Sequence, residues 1–182
     1  MKSNSITNHI AERTPLRDDF VNAMSRVAAA VNVVTTDGPA GRGGVTVTAM
    51  SSVSADTPAP TLLVCIHHLS TAVPVLLENG VFCVNVLKDD QAQISDAFAG
   101  RFGDDKFDFG RWQAMGTGAP RLESALTAFD CTIQSRQQVG THHVIIGAVE
   151  EVYNSDAGAG LIYAERHYMG VRPLDADIPI AA

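Results

Sequence analysis

Short apolar or alternating runs recur along the chain, separated by turns rich in Gly, Pro and Asp. Residues 45–48 alternate apolar with hydroxyl side chains, as a strand with one solvated face does. Residues 61–66 and 81–87 are apolar almost throughout, which is typical of strands buried on both faces. The pattern predicts strands at 31–36, 45–48, 61–66, 81–87, 127–134, 144–152 and 161–163.

The first helical segment begins at Pro15, where the missing N–H of proline has no intrahelical partner, and Thr14 precedes it as a cap. Its apolar positions recur at helical spacing. We therefore expect one face of this helix to pack on the body of the protein. Those positions are Phe20, Met24, Val27, Ala28 and Val31.

Two further helices interrupt the strands. The segment 71–79 keeps Pro74 in its first turn and ends at Gly80, a common helix stop. The other runs roughly from residue 89 to 99, with Asp89 and Asp90 at its positive end and Ile94, Ala97 and Phe98 for the core. Residues 100–120 are rich in Gly and Asp and indicate a long ordered loop, which is usually functional at such a length.

Six or seven strands and two or three helices, without regular alternation, predict a closed or partly open β-barrel rather than a doubly wound sheet. The length of 182 residues fits one domain. We expect that domain over residues 15–175, with tails at 1–14 and 176–182.

Charge and composition exclude several classes of protein. The chain has 13 basic and 20 acidic residues, and its net charge is −7, without the cation cluster that nucleic-acid binding needs. No apolar run reaches the length of a membrane span, and the N-terminus lacks a hydrophobic signal core. Three cysteines without a CxxC pair predict reduced thiols. We therefore expect a cytoplasmic protein that binds neither nucleic acid nor membrane.

The candidate chemistry begins with a hydroxyl-rich segment at 43–54. Thr46, Thr48, Ser51, Ser52 and Ser54 place five hydroxyls in nine positions, which suits a phosphate or the polar edge of a heterocycle, although threonine is also common in ordinary edge strands. No dinucleotide, P-loop or nucleophile-elbow motif is present.

A helix start and two histidine pairs add further candidates. Ser70 and Thr71 begin the second helix, where unpaired N–H groups and the helix dipole favour an anion. His142 lies at the start of a strand, at the rim of the predicted barrel. Adjacent histidines in a strand point to opposite faces and have no Cys or carboxylate at ligand spacing, so a zinc site is not expected.

Taken together in order, these segments resemble the short-chain flavin reductase family, the reductase components of two-component flavin-dependent monooxygenases. The likeness runs from about Phe20 to Val171. It is carried by Val33–Thr36, Gly44–Ser54, Cys65–Ile66, Ser70–Thr71, Phe82–Leu87 and Gly140–His142 with Gly147.

The resemblance implies a mainly β, flavin-binding split barrel with two to three flanking helices, and a homodimer. It implies hydride transfer from NADH, or alternatively NADPH, to FAD or FMN, and delivery of the reduced flavin by diffusion to an aromatic monooxygenase. Hydride transfer is the cofactors' own chemistry, so the lack of a catalytic triad or metal cluster is expected.

The same resemblance implies site residues. The isoalloxazine and ribityl chain would lie along Thr46, Thr48, Ala49, Met50, Ser51 and Ser52. The ribityl-phosphate region would be framed by Cys65, His67, Ser70 and Thr71. Asn85 and Lys88 would lie near the flavin, His142 would flank the nicotinamide, and Tyr168 would help to close the pocket.

The sequence departs from the family at two places. Thr141 stands where the family often has an Asp before the histidine, which weakens the argument for a protonated His142. Gly160 and Leu161 replace a common Pro-Leu. Two alternatives stay open: a non-catalytic flavin storage or sensor protein on the same barrel, and a pyridoxamine-phosphate-oxidase-like enzyme, for which few cations are available outside Arg42, Lys88 and Arg101.

Overall fold

The computed structural model describes residues 14–103 and 105–173. Except for Thr14, the predicted N-terminal tail lies outside the described residues, as does the C-terminal tail. The extent of the single domain, 15–175, therefore stays a prediction. In the part of the chain that is described, no helix is long and apolar enough to cross a membrane.

The helices are α1 (Pro15–Ser25), α2 (Ala72–Asn79) and α3 (Ala92–Phe98), with a 3₁₀ turn at Lys106–Asp108. The strands are β1 (Ala29–Ala30), β2 (Asn32–Thr36), β3 (Gly43–Val47), β4 (Met50–Ser54), β5 (Thr61–His67), β6 (Val81–Val86), β7 (Trp112–Ala114), β8 (Pro120–Leu122), β9 (Thr127–Val139), β10 (His142–Asn154), β11 (Leu161–Ala164) and β12 (His167–Gly170).

Seven of these strands form one antiparallel sheet in the order β3-β2-β6-β9-β10-β5-β4. The sheet curls so that its two edge strands, β3 and β4, are consecutive in the chain and joined through Thr48 and Ala49. A smaller sheet of β1, β11 and β12 and a hairpin of β7 and β8 flank it. This is the predicted mainly β, split-barrel arrangement.

The barrel core explains why the central strands are rich in apolar residues. Every residue of β2 is buried, because Val34 faces the barrel interior while Val33 faces a second core beneath α3. Strand β6 is likewise buried, with Phe82 and Val84 inside the barrel. Helix α2 contributes Val73 and Leu76 to the same interior.

Two glycines permit close approaches that position the site. A Cβ atom on Gly147 would lie 2.5 Å from Phe82 Cζ, where β10 shifts register against β9. A Cβ atom on Gly44 would lie 2.6 Å from Phe98 Cε1. Glycine at position 44 therefore lets α3 pack directly on β3.

Several predicted bounds were wrong. Strand β3 ends at Val47, and Ser51 and Ser52 belong to β4, a strand that was not predicted. Helix α3 begins at Ala92, beyond the two aspartates expected at its positive end. Residues 100–120 contain the 3₁₀ turn and β7, not a continuous loop, and β12 was not predicted.

Helix α1 forms as predicted but does not pack on the body. Thr14 Oγ1 accepts a hydrogen bond from Arg17 N at 3.2 Å, as a helix cap does. No residue of α1 is buried, and the side chains of Phe20 and Met24 are 63% and 49% exposed. The spacing of apolar residues in α1 correctly indicated an apolar face, but the described part of the chain does not bury that face.

Candidate functional site

A cleft of about 590 Å³ opens between β3, the start of α2 and the end of α3. Thr46 lies on one wall, His67, Ser70 and Thr71 on another, and Phe98 at the side. Four residues that the sequence placed in one site are therefore brought together. They come from two separate segments of the chain, β3 and residues 67–71 between β5 and α2.

Thr46 is held by the neighbouring helix. Its hydroxyl donates a hydrogen bond to the carbonyl oxygen of Ser95, in α3, at 2.7 Å. Since that hydrogen is engaged, the lone pairs of Thr46 Oγ1 are what the residue offers to a ligand. Thr46 therefore presents an acceptor to the cleft.

Lys106 supplies a cation to the same cleft. Its ammonium donates to the carbonyl oxygen of Gly44 at 2.8 Å and lies 5.9 Å from the centroid of the Phe98 ring. The cleft thus combines an ammonium group with the hydroxyls of Ser70 and Thr71. That donor set suits a phosphate.

A side pocket of about 180 Å³ adjoins the cleft and shares Thr46 and Ala99 with it. Thr48, Arg101, Tyr163 and Tyr168 also line it. The Tyr168 hydroxyl donates to Asp96 Oδ1 at 2.8 Å and lies 2.9 Å from Ser95 Oγ. Thr48 and Tyr168, both predicted from the sequence, meet here.

His142 does not line the cleft, but its ring contacts that of His67, which does. The two residues are paired across β10 and β5, and their ring centroids are 5.0 Å apart. His67 Nδ1 accepts a hydrogen bond from Leu69 N at 3.2 Å, which places the proton of a neutral His67 on Nε2. Desolvation, followed by the nearby imidazoles of His142 and His68, lowers the pKa of His67.

Eight predicted residues, His142 among them, line neither the cleft nor the side pocket of this chain, and five of the eight lie on or near β4 and β5. Met50 packs against the barrel core, and Ala49, Ser51 and Ser52 are exposed. Cys65 is half-buried on β5, and its N–H donates to the carbonyl of Ala49 at 3.0 Å. All five lie on or beside the β4–β5 edge that follows the Thr46 wall.

Asn85 and Lys88 do not reach the cleft. Asn85 is fully buried: its amide donates to the Val33 carbonyl at 3.1 Å, and its Oδ1 accepts from Leu122 N at 2.7 Å. The side chain of Lys88 lies against Gly158, where a Cβ atom would be 2.8 Å from Lys88 Cδ. Asn85 therefore joins strands, and neither Asn85 nor Lys88 lines the cleft.

The three cysteines are free thiols. Burial raises the pKa of Cys131 to about 12 and raises the pKa of Cys83 well above its usual value. Neither thiol is a nucleophile at neutral pH. Among the described residues, no group of three or more His, Cys, Asp or Glu side chains is placed to hold a metal ion.

Sequence reasoning missed Lys106, Phe98 and Ser95 as residues of the site. Ser95 and Phe98 belong to a helix that was predicted only as core packing. Lys106 lies within a segment interpreted as a loop. The scarcity of cations was the available signal, because a lysine beside aromatic residues in a functional loop is a candidate for anion binding.

The residues present fit a flavin mononucleotide moiety. The cleft offers Phe98, Leu69 and Val45 to an aromatic ring system, hydroxyl groups to its polar edge, and Lys106 with Ser70 and Thr71 to a phosphate. A barrel of this kind, with a cleft of this chemistry, defines a flavin-dependent oxidoreductase.

Comparison with known proteins gives the same class. An FMN reductase (NADH) RutF from Methylorubrum extorquens is 47% identical over 150 residues, which cover 82% of this chain and 74% of that protein. A crystal structure assigned as a flavin reductase from Haemophilus somnus has a TM-score of 0.80 at 38% identity, and covers 85% of this chain and 98% of its own. BorF, the flavin reductase component of a bacterial two-component tryptophan halogenase, has a TM-score of 0.78 at 28% identity, and covers 86% and 99%.

Residues 24–172 match the flavin reductase like domain family, and the chain belongs to that family. The predicted family, the split-barrel fold, the NADH-dependent flavin reductase activity and the use of a flavin with NADH are thereby confirmed.

Proposed function

We propose that this flavin reductase binds its flavin along the cleft wall at Thr46 and releases it, once reduced, to a separate oxygenase that acts on an aromatic compound. The observation that carries the site is the convergence of Thr46, Ser70, Thr71 and Lys106 on one open cleft. The reductase component of a two-component halogenase among the structural neighbours supports the release step.

The flavin supplies the redox chemistry when bound, since it accepts a hydride from NADH. The protein's own residues bind and orient the reactants. Lys106, Ser70 and Thr71 would hold the phosphate end, and Thr46 would offer a hydrogen-bond acceptor to the polar edge of the ring. His142 borders the space beside His67 and positions the nicotinamide, because hydride transfer itself needs no acid or base.

An open cleft agrees with a flavin that is exchanged rather than retained. The flavin site borders solvent along Thr48 and Ala49, which are both exposed. His67 and Thr71 at the cleft are exposed as well. We infer moderate affinity for the oxidised flavin, and a release step that requires no unfolding of a buried lid.

We also propose a homodimer. Register places Leu63, Cys65, Val144 and Ile146 on the face of β5 and β10 opposite the barrel core, because Val64 and Ile145, one position away on each strand, are fully buried. This outer strip is apolar. The exposed apolar side chains of α1 are further hydrophobic surface available to a second copy of the chain.

The dimer is tested by light scattering of the protein after gel filtration. Ile146→Glu, in the outer strip, should convert the dimer to a monomer, whereas Ala157→Glu, in the exposed connection after β10, should leave the mass unchanged. A wild-type protein with the mass of one chain would refute the dimer.

We further propose a reducing, cytoplasmic location, which the three free thiols support.

Steady-state NADH oxidation with added FMN and with added FAD tests the proposed release. We expect turnover that saturates with free flavin, and faster turnover with FMN, the flavin that the name of the RutF relative gives. Tight flavin binding without turnover would instead favour a flavin storage or sensor protein. Replacing NADH with NADPH in the same assay gives the nicotinamide preference.

A further inference from the structure

Helix α3 joins the two walls of the flavin site. The carbonyl of Ser95 accepts from the hydroxyl of Thr46, on the cleft wall, at 2.7 Å. The side chain of Ser95 lies 2.9 Å from the hydroxyl of Tyr168, on the wall of the side pocket. Ser95 is itself fully buried. One residue therefore fixes the separation between Thr46 and Tyr168.

Hydrogen-bond directions around Tyr168 are set by Asp96. A carboxylate only accepts, so the single hydroxyl hydrogen of Tyr168 is donated to Asp96 Oδ1, at 2.8 Å. Ser95 Oγ must then donate to the oxygen of Tyr168. Burial raises the pKa of the Tyr168 hydroxyl, and Asp96 raises it further, so that this hydroxyl stays protonated and remains a donor.

Asp96 is also fixed from the opposite side. Arg101 Nη1 lies 3.1 Å from Asp96 Oδ1, the atom that accepts from Tyr168. The Asp96 side chain is 20% exposed, whereas that of Arg101 is 61% exposed. The carboxylate is thus the less solvated partner, and it links the end of α3 to β12 across 72 residues of sequence.

We propose that Asp96 is a positioning residue for the flavin site, which holds the Tyr168 ring against the side pocket beside Thr46 and Thr48. The inference rests on the proposed function, in which Thr46 and Thr48 line the isoalloxazine end of the flavin. Asp96 does not touch the flavin. It acts through Tyr168, whose hydroxyl without Asp96 would keep only its bond with Ser95.

A double-mutant cycle on flavin binding tests this role. The probe is FMN, titrated into the flavin-free protein and followed by the change in flavin fluorescence. Asp96→Ala and Tyr168→Phe should each raise the Kd for FMN about fivefold, which is the effect of losing one net hydrogen bond. The double variant should be no weaker than Tyr168→Phe alone, because that change already removes the contact between Tyr168 and Asp96.

Conservative and control variants separate positioning from general stability. Asp96→Asn keeps an Oδ1 acceptor and should stay within about twofold of wild type. Asp90→Ala, an exposed aspartate just before α3, is the matched control. If Asp96→Ala does not fold, Asp96→Ser, which is too short to reach Tyr168, replaces it in the cycle.

Two outcomes would overturn the proposal: an Asp96→Ala protein with wild-type affinity for FMN, or additive losses in the double variant. Failure of the wild-type protein to bind FMN at all would refute the proposed flavin site itself. The two failures are therefore distinguished by the wild-type titration.

Discussion

His142 lies directly opposite His67 across the paired strands β10 and β5, with ring centroids 5.0 Å apart and the rings nearly perpendicular. This contact connects the strand start identified from the sequence with the cleft that contains Ser70 and Thr71. His67 lines the cleft, and His142 contacts the ring of His67, so a change at His142 reaches the cleft through one residue.

Replacement of His142 by alanine should raise the KM for NADH by roughly tenfold, comparable to the loss of one good polar contact. The Kd for FMN should change little, since Thr46, Ser70, Thr71 and Lys106 are untouched. Steady-state kinetics with NADH as the varied reactant give the first value, and an FMN fluorescence titration gives the second.

His143→Ala is the matched control for His142, because it alters the neighbouring residue, which points to the other face of β10. It should leave the KM for NADH unchanged. Weakened FMN binding with normal NADH kinetics in His142→Ala would instead place His142 in the flavin subsite.

The ionisation of His67 should be measurable by NMR titration. Its pKa should lie below the ordinary 6.5, because of desolvation first and the imidazoles of His142 and His68 second. In His142→Gln, one source of repulsion is removed, so the pKa should rise towards 6.5. No change in that variant would mean that the two imidazoles do not interact.

The lowered pKa of His67 also makes the free energy of unfolding depend on pH. Between the folded-state pKa and 6.5, the unfolded chain binds more protons than the folded protein. The free energy of unfolding therefore rises as the pH increases from the folded-state pKa of His67 to 6.5. This contribution of His67 is lost when the pH falls back through the same window. Urea unfolding of wild type and His67→Gln at several pH values checks it, since the pH dependence should be weaker in the variant.

Thr46→Val removes the hydroxyl that bonds to the carbonyl of Ser95 and keeps the shape of the side chain. We expect a loss of about 1 kcal/mol in unfolding free energy and a several-fold higher Kd for FMN. Thr46→Ser keeps the hydroxyl and should behave nearly as wild type in both measurements. Equal FMN affinity in all three proteins would exclude Thr46 from the flavin site.

Gly44→Ala should destabilise the protein by about 1–3 kcal/mol, because its Cβ would meet the buried ring of Phe98. Gly43→Ala, one residue earlier in β3, is the control, since the nearest atom to its Cβ would lie at 3.5 Å, an ordinary contact. Thermal unfolding of the two variants compares them. Similar melting temperatures would mean that α3 is not packed against β3 as described.

The sequence predicted the strands best where both faces are buried, as in β2 and β6, because a short run rich in valine is typical of a central strand. It also predicted hydroxyl residues that line the cleft, because Thr46 belongs to a hydroxyl-rich segment and Ser70 to a helix start, and both patterns are local in the sequence. Ser95 and Asp96 could not be found in this way. Their importance comes from contacts with Thr46 and Tyr168, which lie 49 and 72 residues away in the chain.

Two differences between the sequence-based expectation and the structure have specific physical causes. Asn85 matched a family segment, but a buried amide in the middle of a strand satisfies its hydrogen bonds with neighbouring backbone, and a sequence does not show which partners are near. Helix α1 has a regular apolar spacing, which predicts a face to be covered without saying whether the cover belongs to the same chain.

The release of reduced flavin is tested most directly across a dialysis membrane under anaerobic conditions. The reductase, NADH and FMN are placed on one side, and ferricytochrome c, which the membrane retains, on the other. We predict that the cytochrome is reduced at a rate that depends on both the reductase and the FMN. Oxidation of NADH beside the reductase, with no cytochrome reduction above the reductase-free control, would contradict a flavin that leaves the protein to serve a separate oxygenase.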